Sequence, residues 1–138
     1  MPTPNVLVDA GPLVALIDRS DPYHQACRAA LAVIADPLGT VWPVFSEAMY
    51  LLRSSASAQR ALWDMLGVDG VRLMELGGAD CPRMRELMRK YRDLPMDLAD
   101  AALVRIAERE HIRRVFTVDR HDFELYRPHR LRRFEIMP

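Results

Sequence analysis

The stretch "NVLVDAGPL" (residues 5–13) decides the fold class. Residues 5–9 are a short apolar run carrying the β-branched Val6 and Val8 and ending in Asp9, which is how a strand buried in a parallel sheet reads. The following "AGPL", with Gly11 and Pro12 side by side, reads as a turn. A second run of the same kind, "RVFTVD" (residues 114–119), again ends in an acid. Further strands are predicted in "GTVW" (39–42), "VRLMEL" (71–76) and "FEIM" (134–137).

Helical patterns fill the intervals. Residues 20–36 offer Ser20 or Asp21 as a cap, Pro22 in the first turn, and Ala26, Ala29, Ala30 and Val33 at helical spacing. Residues 43–53 place Pro43 early, Ser46 and Glu47 in the first turns, and apolar residues behind them. Residues 57–70 form an amphipathic helix ended by Gly67 or Gly70, and residues 80–93 a basic helix capped by Asp80. In "LPMDLADAALVRIAERE" (94–110), Ala99, Ala102, Leu103 and Ile106 make a core stripe. Strands alternating with helices over short connections predict a mainly parallel α/β sheet covered on both faces.

Composition narrows the class. The chain has 138 residues, 50% of them hydrophobic, which suits one domain over residues 1–138 with a single core. Formal net charge is +0, so nucleic-acid contact has to come from a local basic patch. Cys27 and Cys81 are the only cysteines, a pattern of a reduced cytoplasmic protein and not of a disulfide scaffold. The first residues lack a basic n-region, and Asp9, Gly11, Pro12 and Asp18 interrupt the apolar stretch, which argues against a signal peptide or membrane span. Trp42, Trp63 and the methionines read as core or subunit-interface residues.

The acids carry the chemistry. In a parallel sheet, ligands bind at the carboxyl ends of the strands near the switch point. Asp9 and Asp119 end strands there, while Glu47, Asp97 and Asp100 lie near the starts of helices that open at the same edge. Carboxylates gathered from distant segments repel one another unless a cation sits among them or protons are taken up. Oxygen ligands without a Cys or His cluster favour Mg²⁺ or Mn²⁺ over Zn²⁺. Asp97 also reads as a helix N-cap, and Asp122, in "DRHDF", as a turn or cap residue. The four histidines form no ligand spacing and no Ser/His/Asp order suggests a triad, so water activation would rest on metal and carboxylate.

Four motifs in order, "VLVDAGPLVALID", "FSEAMYLL", "DLADAALVRIAE" and "VFTVDRHDF", resemble the PIN domain, and in particular the single-domain VapC-type toxins. The resemblance implies a PIN-like three-layer α/β/α fold with a central, mainly parallel sheet of about five strands. It also implies a Mg²⁺- or Mn²⁺-dependent endoribonuclease that uses a metal-activated water and leaves a 5′ phosphate and a 3′ hydroxyl. Carried over by motif, the metal-holding and catalytic acids are Asp9, Glu47, Asp100 and Asp119, and Thr117 matches a hydroxyl residue two before the last acid. Asp97 and Asp122 stand as secondary candidates. One departure is Ala10, where many relatives have Thr or Ser after the first acid.

Among the basic residues, Arg89, Lys90, Arg92 and Arg120 are candidates to hold an RNA backbone beside the acids, against the alternative of solvated, ion-paired surface. Tyr91 and Tyr126 are read either as base-stacking residues or as core and rim packing. The resemblance further implies a cognate antitoxin protein and a homodimer. The alternative is a non-catalytic PIN-like nucleic-acid-binding or regulatory module, motivated by Ala10. A haloacid-dehalogenase-type hydrolase would need a second Asp where Gly11 stands, and a receiver domain an acidic pair near the first strand; neither is present.

Overall fold

A computed structural model describes residues 3–67 and 69–138. Its strands are β1 (Val6–Val8), β2 (Leu38–Thr40), β3 (Val71–Leu73), β4 (Arg114–Phe116) and β5 (Glu135–Met137). They form one sheet in the order β3-β2-β1-β4-β5, every pair parallel, with Leu7 opposite Gly39 on one side and Val115 on the other. The helices are α1 (Ala10–Ile17), α2 (His24–Val33), α3 (Trp42–Leu51), α4 (Ala56–Met65), α5 (Cys81–Lys90), α6 (Leu98–Glu110) and α7 (Arg120–Leu125). This is the three-layer α/β/α architecture expected from the sequence.

The strand order fixes where chemistry can sit. The chain steps outward from β1 to β3, returns past β1 to β4, and continues to β5. Connections leaving β1 and β4 therefore diverge, and a crevice opens between their carboxyl ends. Asp9 and Thr117 stand at that crevice, each one residue beyond its strand.

The core follows from β1 and α6. Val6, Leu7 and Val8 are buried on both sides of the sheet, as the unbroken apolar run predicts. In α6, all four stripe residues are buried, and so are Ala101, Val104 and Ala107. Each fully buried Val, Leu or Ile side chain contributes about 1.5–3 kcal/mol.

Several expectations are corrected. "AGPL" is the first half of α1, because Pro12 lies in the first turn, where its missing N–H leaves no acceptor unpaired. Gly11 is there for closeness: a Cβ on it would lie 2.4 Å from Cγ2 of Val118. In α2 the buried face is His24, Cys27 and Ala30, while Ala26, Ala29 and Val33 face solvent. The His24 ring nitrogen Nδ1, hydrogen-bonded to the Ala15 carbonyl at 2.6 Å, sets that rotation, which the small alanines left ambiguous. Neither Ser20 nor Asp21 is the N-cap: α2 starts at His24, and Asp21 instead accepts from the Tyr23 N–H.

The strands are shorter than predicted. Trp42 opens α3 instead of ending β2, since Pro43 favours a helix start. Helix α4 ends at Met65, before Gly67; Val68, placed in that helix by the sequence, lies outside the described residues. Asp80 stands at the N-cap position of α5, as expected, but its side chain makes no capping hydrogen bond there. It is 3% exposed and accepts from Arg105 Nε at 2.7 Å, Arg109 Nη1 at 2.9 Å and the Gly77 N–H at 2.8 Å, tying the start of α5 to α6. Trp42 and Trp63 are half-exposed and flank the buried ring of Phe45.

Candidate active site

Each acid is placed by the start of a local element. Asp9 is the N-cap of α1 and is 7% exposed. One carboxylate oxygen accepts from the Ala10 N–H at 2.8 Å, and the other from the Thr117 hydroxyl at 2.8 Å. Thr117 Oγ1 in turn accepts from the Asp119 N–H at 3.0 Å. One buried hydroxyl thus links the two acid-bearing connections across the crevice.

Asp119 is the N-cap of α7 and accepts from the Asp122 N–H at 3.3 Å, which places Asp122 in the first turn. Asp97 is the N-cap of α6, accepting from the Asp100 N–H at 2.8 Å, and Asp100 lies in the first turn at 8% exposure. Asp97→Ala is expected to cost about 1 kcal/mol in urea unfolding; a loss several times larger would show a role beyond capping. Glu47 sits on the second turn of α3, which packs against both α1 and α6.

Among the described residues, Asp100, Asp119 and Asp122 each offer a carboxylate oxygen within 4.8 Å of the others. Asp122, read from sequence as a turn or cap residue, therefore joins two of the motif acids. Asp9 lies outside that trio but shares its field with Asp100 and Asp119, while Glu47 feels Asp97 and Asp9. Burial raises the Asp9 carboxyl to about 6, with Asp97 and Asp119 adding to the rise. Burial, then the charge of Asp9, raises Asp100 to about 8. Glu47 is raised by burial and then by Asp97 and Asp9, and Asp119 by burial and by the charge of Asp122.

These displacements test whether the residues suit a cation. A set of oxygen donors that cannot all ionise together is short of positive charge, and a hard divalent ion supplies it. Asp9, Asp100, Asp119 and Asp122, with Glu47 at the margin, fit that requirement.

For Tyr126 the core-packing reading holds, and nothing in the sequence signals its link to an acid. Tyr126 is fully buried, and its hydroxyl donates to Asp100 Oδ2 at 2.7 Å, so it cannot stack on a base. Tyr91 packs on it edge-on at 5.0 Å and accepts from the Arg127 N–H. Among the basic candidates, Arg89, Lys90 and Arg92 are exposed at the end of α5. Arg120 is engaged by Glu124 at 3.2 Å and by the Pro138 carbonyl at 3.0 Å. A cleft of about 780 Å³, lined by Leu13, Leu31, Ile34 and Met65 among others, contains none of the candidate acids.

A parallel α/β/α sheet with carboxylates from separate segments drawn to its switch point defines the class. The chain belongs to the PIN domain family, whose model matches residues 6–127. It is 30% identical over 135 residues to Ribonuclease VapC26 of Mycobacterium tuberculosis, covering 96% of this chain and 100% of that relative. Among solved structures it resembles Mycobacterium tuberculosis VapC20, a Sarcin-Ricin loop cleaving toxin, with a TM-score of 0.73 at 17% identity, over 80% of this chain and 86% of that one. It also resembles VapBC2 from Rickettsia felis, solved bound to a DNA fragment from their promoter, with a TM-score of 0.66 at 13% identity, over 96% and 98% of the two chains.

Proposed function

We propose that this protein is a metal-dependent endoribonuclease and the toxin of a toxin-antitoxin pair, acting in the cytoplasm with Mg²⁺ or Mn²⁺ as cofactor. The observation that carries the reading is the convergence of Asp9, Asp100, Asp119 and Asp122 at the switch point, where burial and neighbouring charges raise the Asp9 and Asp100 carboxyls. The ribonuclease relative at 30% identity supports the RNA substrate. The likeness of the fold to a toxin-antitoxin complex from Klebsiella pneumoniae supports an antitoxin partner, and the family resemblance implies a homodimer.

In this reading Asp9, Asp100 and Asp119 would hold the ion, with Asp122 completing the group and Glu47 a further candidate. A bound divalent ion would neutralise charge on the scissile phosphodiester and activate a water for attack. The chain does the positioning. Thr117 and the Ala10 N–H fix both oxygens of Asp9, the helix-start N–H of Asp122 fixes one oxygen of Asp119, and Asp97 holds the first turn that carries Asp100. Because a carboxylate binds a metal in its deprotonated form, the raised Asp9 and Asp100 carboxyls would make ion binding stronger as pH rises. Exposed Arg89, Lys90 and Arg92 would hold the RNA backbone, which the acids alone would repel.

RNA cleavage with Mg²⁺, Mn²⁺ and EDTA tests this directly. Asp9→Asn is expected to lower the metal-dependent rate by at least about a hundredfold, since even outer partners of metal ligands cost 10–100-fold. Equal cleavage by the variant and the wild type would defeat the mechanism. Harmless expression alone, together with copurification of no small partner, would count against the toxin-antitoxin reading. The non-catalytic alternative rests on Ala10, which contributes an N–H to Asp9 and no hydroxyl; absence of Mn²⁺ binding in calorimetry would favour it.

A further inference from the structure

The function above leaves Tyr126 without a task. Its ring is held by edge-on contacts with Tyr91 at 5.0 Å and Phe123 at 5.2 Å, and its N–H donates to the Asp122 carbonyl at 3.1 Å. Phenylalanine would satisfy that packing equally well, whereas a buried hydroxyl is costly without a partner. The partner is Asp100 Oδ2, 2.7 Å away, at the usual distance of an O–H···O hydrogen bond. Asp119 caps one end of the short α7 and Tyr126 the other, so the helix is clamped onto the start of α6.

We propose that Tyr126 is a positioning residue that holds Asp100 as a one-oxygen ligand and so biases the site toward small octahedral cations over Ca²⁺. The inference rests on the metal-dependent reading above. The phenol fixes the rotation of the carboxylate and engages Oδ2, which leaves Oδ1 to face an ion. Mg²⁺ and Mn²⁺ suit short, single-oxygen carboxylate contacts in octahedral geometry, whereas Ca²⁺ accepts longer contacts and often takes both oxygens of one carboxylate. Removing the hydroxyl frees Oδ2 and lets Asp100 turn, which weakens the first kind of contact and permits the second.

Calorimetric titration of the full chain with Mn²⁺ and with Ca²⁺ tests this, comparing wild type, Tyr126→Phe and Tyr91→Phe. Tyr91→Phe makes the same chemical change in the same aromatic cluster but breaks a bond to the Arg127 N–H, not to an acid. Tyr126→Phe is expected to weaken Mn²⁺ binding about tenfold, as loss of an outer partner does, and to leave Ca²⁺ within about threefold or tighter. Tyr91→Phe should leave the Mn²⁺ to Ca²⁺ affinity ratio unchanged. A wild-type ratio in Tyr126→Phe, or an equal change in both variants, would overturn the positioning role while leaving the metal reading intact. A wild type that binds no Mn²⁺ would defeat the metal reading, and this inference with it.

Discussion

Asp100→Asn is expected to reduce metal-dependent RNA cleavage by at least about a hundredfold while making the metal-free protein more stable at pH 8. The opposed effects share one cause. Asp100 is buried beside Asp9, and its carboxyl titrates near 8 in the folded chain against 3.8 as the ordinary value. At pH 8 about half of the folded molecules carry a charge there that burial disfavours, whereas in the unfolded chain that charge is fully hydrated. Asparagine removes the penalty and can still accept from the Tyr126 hydroxyl. The expected gain at pH 8 is on the order of 5 kcal/mol, falling to almost none near pH 3, where the wild-type group is largely protonated in both states. Urea unfolding in EDTA at both pH values measures the gain. A variant that unfolds more easily than wild type at pH 8, or one that cleaves RNA within tenfold of it, would reject the role given to Asp100.

The second large effect is a pH profile that metal reverses. Asp9 and Asp100 both have folded-state pKa values above 3.8, at about 6 and about 8. The folded state therefore binds more protons than the unfolded state between these limits, and stability falls as pH rises. The contribution of Asp9 is present below about pH 4 and lost through pH 6; that of Asp100 is lost through pH 8. A cation binds the deprotonated acids, so Mn²⁺ should stabilise more at pH 8 than at pH 5. At a hundred times the dissociation constant, the gain is about 2.7 kcal/mol, or roughly 10 °C in melting temperature for a domain of this size. Thermal melts with Mn²⁺ and with EDTA across that range check it. A flat metal-free profile, or a Mn²⁺ shift equal at both ends, would contradict the assigned ionisation.

The two Asp residues of "LADAA" and its approach show how far local sequence reaches. Asp97 as N-cap was readable because capping is local: a side chain three residues upstream meets a free N–H whatever the rest of the chain does. The parallel sheet was likewise readable from "NVLVD" and "RVFTVD", since strands buried on both faces must be continuously apolar. The motif acids were placed by resemblance, and the fold does bring Asp9, Asp100 and Asp119 to one crevice. Where Gly and Pro stood together in "AGPL", the same local rules misled. Pro12 in the first turn of a helix and Gly11 admitting Val118 satisfy demands made by distant neighbours.

What the sequence determined by itself was therefore the set of elements whose cause is local or periodic: the strands, the capped α6 and its buried stripe. Only the tertiary structure decided that Asp122, a secondary candidate from sequence, lies within reach of Asp100 and Asp119, that the Asp80 carboxylate at the N-cap of α5 turns to Arg105 and Arg109, and that Tyr126 serves Asp100. Asp100 and Tyr126 are 26 residues apart on different helices. A carboxylate and a phenol at such separation carry no pattern in the chain. They meet because the reversal of strand order at β1 and β4 brings the start of α6 and the whole of α7 to the same edge, where the buried phenol donates to the carboxylate.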